Sequence, residues 1–197
     1  MQPFQLVGGH AALDLVNTLD WRFRDGQPED LIAGYGDVVR FVVQSGLMSA
    51  TEGRRLVRSA GTNKAAQVVA ETRGLREAAA RVFYAALDDD DQPVDAIRDL
   101  EGYFKDAEAH RKLRWSERHL RWEFPAALAA PELPLWILSL KTAQLITSGN
   151  MEMVRACGNP ECRWLFLDTS KNHTRRWCDM KICGNRMKAR RFKAHHG

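Results

Sequence analysis

The sequence predicts an α+β protein in two unequal parts: a mostly helical N-terminal domain with one β-hairpin over residues 1–150, and a small cysteine-bearing module over 151–197. Three observations carry that prediction. Apolar residues recur at i, i+3 and i+4 through much of the first 150 positions. The period changes to alternation once, in KLRWSERHLRWEF at 112–124. All four cysteines lie between 157 and 183. A chain of 197 residues with 45% hydrophobic and 27% charged side chains buries enough core to offset its ordering entropy, which excludes wholesale disorder.

In chain order, Phe4 to Val7 reads as a short strand and Gly8-Gly9 as a break. His10 to Phe23 follows as an apolar-rich segment in which His10, Asp14 and Asn17 share one helical face, with Thr18 adjacent. GQPED at 26–30 reads as a turn, and Val38 to Leu47 as a helix. Ser49 followed by Glu52 is a capping box opening another. Asn63 is a cap for a longer helix to Leu87, in which Gly74, at about 1 kcal/mol relative to Ala, marks a potential break. The run Asp88 to Asp91 ends that helix; four adjacent carboxylates suggest a metal, but a solvated linker is the simpler reading. Helix resumes over Val94 to Ala109. The hairpin over 112–124 carries Leu113, Trp115, Leu120, Trp122 and Phe124, whose tryptophans are expected in the core rather than stacked on bases. Pro131 opens a mostly apolar, buried helix to about Ser148, with Gly149 as C-cap.

Membrane and secreted classes fall away. Leu133 to Ile146 is the longest apolar stretch, interrupted by Lys141, Thr142 and Gln144 and too short to span a bilayer. The first residues show no positive leader and no long apolar run. A cytoplasmic chain with reduced thiols and no membrane partner is expected.

Cys157 and Cys162 form C-x4-C, Cys178 and Cys183 form a second, and fifteen residues separate the pairs. Two short loops that each bring two thiolates to one ion satisfy a tetrahedral site, so the spacing predicts one structural Zn²⁺ per chain. Disulfides and a redox or iron–sulfur role are the alternatives. Turn chemistry in GNPE, a strand at Arg163 to Leu167 and a helix at Arg186 to His195 entered through Cys183 make a treble-clef-like layout. His173, His195 and His196 read as exposed residues. So few residues bury little, so the ion is expected to hold this module, and Cys178→Ser to melt it while the helical part stays folded.

The net charge of +4 is unevenly spread. From Arg155 onward there are eleven Lys and Arg against three acids, giving +8; residues 1–154 carry −4. A zinc ion with four thiolates contributes −2, leaving about +6. Arg186, Arg190 and Lys193 form a helical stripe, with Cys183, Met187 and Ala194 to one side facing the metal core. Lys171, Arg175, Arg176, Lys188 and Arg191 add to the charge, which suits phosphate binding by counterion release. A basic tail serving solubility is the plainer reading. Trp164 and Trp177 either cover the zinc or stack on bases.

The stretch CGNPECRWLFLDTSKNHTRRWCDMKICGNRMKARR resembles the CGNR zinc-finger family through both cysteine pairs, Arg175-Arg176-Trp177-Cys178 and the tetrad Cys183-Gly184-Asn185-Arg186. HAALDLVNT at 10–18 and the Trp-bearing hairpin are similar to the ABATE domain that accompanies this finger. The resemblance implies a treble-clef-like zinc domain on an α+β domain and a stress-responsive transcription regulator.

DNA is therefore the expected partner of the finger. RNA binding or protein docking is the alternative. His10, Asp14, Asn17 and Thr18 are the candidate cluster for sensing a small-molecule or protein effector, or for a structural role. An enzyme is not expected: Ser170 and His173 fit no recognised triad, and Gly8-Gly9 lacks the pattern of a phosphate loop.

Overall fold

The computed structural model describes residues 3–26, 28–125 and 130–196, the side chains of 191, 195 and 196 excepted. The chain runs α1 (Ala11–Val16), β1 (Leu19–Asp20), β2 (Glu29–Asp30), α2 (Tyr35–Gln44), α3 (Ala50–Ser59), α4 (Thr62–Asp88) and α5 (Val94–Ala109). It continues with β3 (Lys112–Ser116), β4 (His119–Glu123), α6 (Leu133–Ile146), β5 (Val154–Ala156), β6 (Leu165–Leu167) and α7 (Asn185–His196). The described strands pair as antiparallel two-stranded ribbons, β1 with β2, β3 with β4 and β5 with β6. The fold is thus mostly helical with small hairpins, as expected.

Six residues are too few for a helix to persist unaided, so α1 is held by burial. Ala12, Leu13, Leu15 and Val16 are fully buried, and the helix lies against α4, α6 and β6. His10 caps it, its Nδ1 accepting the Ala12 N–H at 3.2 Å. Helix stops at Val16 because Leu19-Asp20 pairs with Glu29-Asp30, and the turn expected at 26–30 gives way to β2. Buried Arg76 of α4 braces β2 by donating to both carboxylate oxygens of Asp30, at 2.7 and 2.9 Å. The strand expected at Phe4 to Val7 does not form; Gln44 instead bonds the N–H and C=O of Phe4 at 3.0 and 2.8 Å.

Asp37 accepts the N–H groups of Ala33 and Gly34, which starts α2 three residues earlier than its apolar pattern suggests. Ser49 and Glu52 form the expected capping box of α3. α4 opens after Gly61, with Asn63 already inside it, and runs unbroken through Gly74. The hydroxyl of Tyr103 occupies the place a Cβ at Gly74 would take, so the glycine serves close packing of α5 on α4. Asp89, at φ 55°, ends α4 in the left-handed region. Apolar α6 is buried along most of its length; it ends at Thr147, before Gly149, and a 3-10 turn at Gly149–Met153 leads into β5. No described helix is long and apolar enough to cross a membrane.

The hairpin forms in the expected place, but its tryptophans are outside the core. Leu113, Trp115, Leu120 and Trp122 are 52, 69, 57 and 53% exposed. Alternation predicts that a ribbon has one apolar face, not that anything covers it. Only Phe124, just past β4, reaches inward to Trp136.

One large apolar core joins α1 to α6 and continues into Val154, Leu165 and Leu167. A second, small cluster contains the four cysteines, Trp164 and Phe166, with Val7 and Trp177 against it. Because side chains alternate along a strand, β6 is the wall between them. Leu165 and Leu167 face the helical body, and Phe166 faces the cysteines.

Candidate metal centre and nucleic-acid interface

β5 delivers the chain to Cys157, whose N–H donates to the Trp164 carbonyl at 2.9 Å. Between the first two cysteines, buried Asn159 shapes the knuckle. Its carbonyl accepts from the N–H groups of Cys162 and Arg163, both at 3.0 Å, and its side-chain oxygen from Glu161 N–H. Its Nδ2 points to Cys183 Sγ at 3.6 Å, so the first knuckle bonds a sulfur of the second. The Gly158 N–H donates to the Arg176 carbonyl at 2.9 Å, a further tie between the two loops.

After β6, buried Asp168 organises the return. Its carboxylate accepts from the Ser170 hydroxyl at 2.5 Å, Ser170 N–H at 3.0 Å and Arg175 N–H at 3.0 Å. These donors, the Ser170 hydroxyl foremost, hold its pKa below the ordinary carboxylate value. Asp179 then caps a π-helical turn, Met180–Gly184, that presents Cys183. A Cβ at Gly184 would strike Met180 and Trp177, so this turn closes around a glycine.

The four sulfurs come within 4.8 Å of one another, and all four cysteines are buried, with free thiols. Cys162 and Cys178 Sγ are 3.8 Å apart, the edge of a tetrahedron whose centre lies about 2.3 Å from each sulfur. So close together, the thiols oppose each other's ionisation. Hydrogen bonds from Cys162 and Cys178 favour the thiolate at Cys157, and that thiolate pushes Cys162 and Cys178 up. A dication at the centre removes the conflict. The donor set suits one zinc ion with a closed shell, which leaves no position for a catalytic water. Trp164 and Trp177 pack on this cluster, the covering role of the two expected for them.

The basic residues divide between two directions. Arg175, expected at a nucleic-acid surface, turns inward. Its Nη2 donates to Val7 O at 3.0 Å and Cys178 O at 2.6 Å, and its guanidinium lies 4.1 Å from the Phe166 ring centroid. Arg186 lies over Trp21 of the helical body at 4.7 Å. Arg163 bonds the Asp88 carboxylate at 2.6 and 2.8 Å, which gives one member of the acidic run a partner in the finger. Arg190 is half exposed and bonds Glu161 at 2.9 Å. Lys171, Arg176, Lys181, Lys188 and Lys193 are exposed. The side chains of Arg191, His195 and His196 lie outside the described residues. Met187 is partly buried and Ala194 exposed, so the inward face expected for α7 ends near its first turn.

The polar cluster at the N-terminus is engaged internally. Asn17 donates to Leu165 O at 2.9 Å and accepts from Leu165 N–H at 2.8 Å, which pins β6 to α1. Asp14 accepts the Gly8 N–H at 2.7 Å. Burial raises its pKa to about 6, against the opposing bonds from Gly8 and Val7 and the charge of Arg175. Thr18 donates to Leu15 O and accepts from Arg76. Burial, with the charge of Lys141, lowers the pKa of His10. Sequence reasoning treated Asn159 as turn chemistry and did not foresee the partners Trp21, Tyr84 and Asp88. Tyr84 donates to the Arg163 carbonyl at 3.0 Å. The Asp168-x-Ser170 spacing was the one readable signal, because it is the pattern of a side-chain-capped turn.

Two family matches cover this architecture. Residues 153–196 match the CGNR zinc finger. Residues 9–149 match ABATE, described as "Putative stress-induced transcription regulator". No curated protein matches the sequence. With this match over more than half its length and a four-cysteine finger behind it, the chain belongs to the ABATE family and ends in a CGNR zinc finger.

Proposed function

We propose that this protein is a transcription regulator that holds duplex DNA by its phosphate backbone, through the outward side of the zinc finger. Lys171, Arg176, Lys188 and Lys193, with Arg190 beside them, make the contacts. One observation carries the reading: once Arg163, Arg175 and Arg186 are spent on holding the finger together and to the helical body, a set of exposed cations remains. α7 adds to it, because beyond its first turn its described side chains are exposed and include Arg190 and Lys193. A helix of 12 residues with so little packing gains more from a polyanion than from the protein's own core. The finger works in the manner of a treble clef, with the zinc fixing the helix and the helix presenting charge. The protein binds and does not catalyse. An effector would act on the helical body away from His10, Asp14, Asn17 and Thr18, whose polar groups already serve the fold.

Competition among duplex DNA, single-stranded DNA and structured RNA, read by fluorescence anisotropy on the zinc-loaded protein, tests this. Duplex is expected to compete best. Preference for structured RNA would move the finger to RNA, and no binding to any of the three would leave protein docking.

A further inference from the structure

The β3–β4 ribbon stands out because, among the described residues, little covers its apolar face beyond Arg111 over the Trp122 ring. An isolated two-stranded hairpin is marginal in water unless that face is covered. Here Leu113, Trp115, Leu120 and Trp122 project from one side of the ribbon, and each is more than half exposed. We propose that a second copy of this chain covers this face, so that the protein is a dimer through its hairpins.

The pattern is self-complementary. Leu113 lies opposite Trp122 and Trp115 opposite Leu120, so the tryptophans occupy one diagonal and the leucines the other. Turned over onto itself about a two-fold axis along or across the strands, the face sets each indole over a leucine. That is the condition an isologous interface must meet, and it matches aligned sheet packing. Area is sufficient as well. At roughly 200 Å² for a tryptophan and somewhat less for a leucine, these side chains expose about 400 Å² per chain. Two copies therefore cover about 800 Å². That is the size of a weak, concentration-dependent interface rather than a permanent one.

Charge argues in the same direction. Arg114 pairs with Glu123 at 3.4 Å, Arg121 with Glu117 at 3.3 Å, and Arg111 with Glu108 at 2.8 Å. The charged residues of the strands point away from the apolar face, because Lys112, Arg114, Arg121 and Glu123 alternate with it. Arg111, just before β3, lies over the Trp122 ring at 5.7 Å and is already paired with Glu108, so the cation at the edge of the face is neutralised within the chain. What remains for the apolar face is a partner as apolar as itself.

Sedimentation velocity over a range of micromolar concentrations tests the proposal on the full zinc-loaded chain. Wild type is expected to sediment as a dimer, with tryptophan emission shifting to the red as it is diluted. Trp115→Ser/Trp122→Ser is expected to weaken association about a hundredfold or more. Its helical circular dichroism and zinc content should match wild type, because the replaced side chains contribute little to the core. Arg114→Glu, on the opposite face, should leave the dimer intact. A monomeric wild type at every concentration would overturn the proposal, as would a dimer that survives loss of both tryptophans. So would a monomer whose hairpin fluorescence responds to nucleic acid or to anionic vesicles, since either result gives the face another occupant.

Discussion

The helical body and the finger share a strand of three residues but owe their order to different physics. The body closes around Leu13, Phe41, Leu75, Phe83, Leu138 and their neighbours, a core large enough to stand on apolar burial. The finger has four cysteines, Phe166 and two tryptophans, too little for a core of its own, and depends on an ion. The sequence suggests a clean boundary near residue 150, with a finger that melts alone. We expect β6 to couple the two, because Leu165 and Leu167 pack in the body's core and Phe166 in the metal cluster. Asn17 reinforces the link with two buried bonds to Leu165.

Metal removal is the harshest test of this comparison. Structural zinc contributes on the order of 10 kcal/mol in zinc-finger peptides. Elemental analysis is expected to find one equivalent of zinc in wild type and none after Cys178→Ser or a strong chelator. Either change should also lower the thermal midpoint of the helical signal. A helical melt that ignores the chelator would show that the two cores are independent.

Neighbouring substitutions on β6 sharpen the same point. Leu165→Ala should cost about 2–5 kcal/mol in urea unfolding of the whole chain, as for a fully buried leucine. Phe166→Ala, one residue along, should show first as weaker zinc retention in competition with a chromogenic chelator. Equal effects of both variants on both readouts would erase the distinction between the two faces.

Asp14 gives a smaller, pH-dependent effect. Its folded pKa of about 6 exceeds the unfolded value of 3.8, so the folded state holds its proton more tightly. The stability this provides is complete below about pH 4 and is lost as pH rises through 6. Asp14→Asn should therefore gain on wild type by up to about 3 kcal/mol between pH 4 and pH 7. Comparing the two proteins at each pH cancels the zinc release they share. A constant difference would mean that Asp14 titrates normally.

Much of the fold was legible because it rests on local rules. Apolar periodicity located α4, α5 and α6, the Ser49/Glu52 box located α3, and the change of period located the hairpin. Cysteine spacing was sufficient for the metal centre, since two C-x4-C loops have few other uses. Long-range pairing was not legible. β5 and β6 have three residues each and β1 and β2 two, too short for any periodic signal, and each forms only because its partner is brought alongside. The hairpin tryptophans were misplaced for a related reason: an apolar face is written in the sequence, but its cover is not. The arginines were the subtlest case. Arg175 and Lys171 look alike in a charge count, yet one is tied to Val7 and Cys178 while the other is exposed.

That division of the arginines and lysines is the central claim, and salt dependence of duplex binding tests it most directly. Five phosphate contacts predict a slope of log affinity against log salt near −4.5 for B-DNA. Lys188→Ala/Lys193→Ala should reduce the steepness by about 2 without changing stability, because each contact accounts for about 0.9. Arg186→Ala should leave the slope unchanged and lower stability by about 1 kcal/mol through loss of its contact with Trp21. A slope near zero in wild type, or one that falls with Arg186 and not with the lysines, would contradict the account.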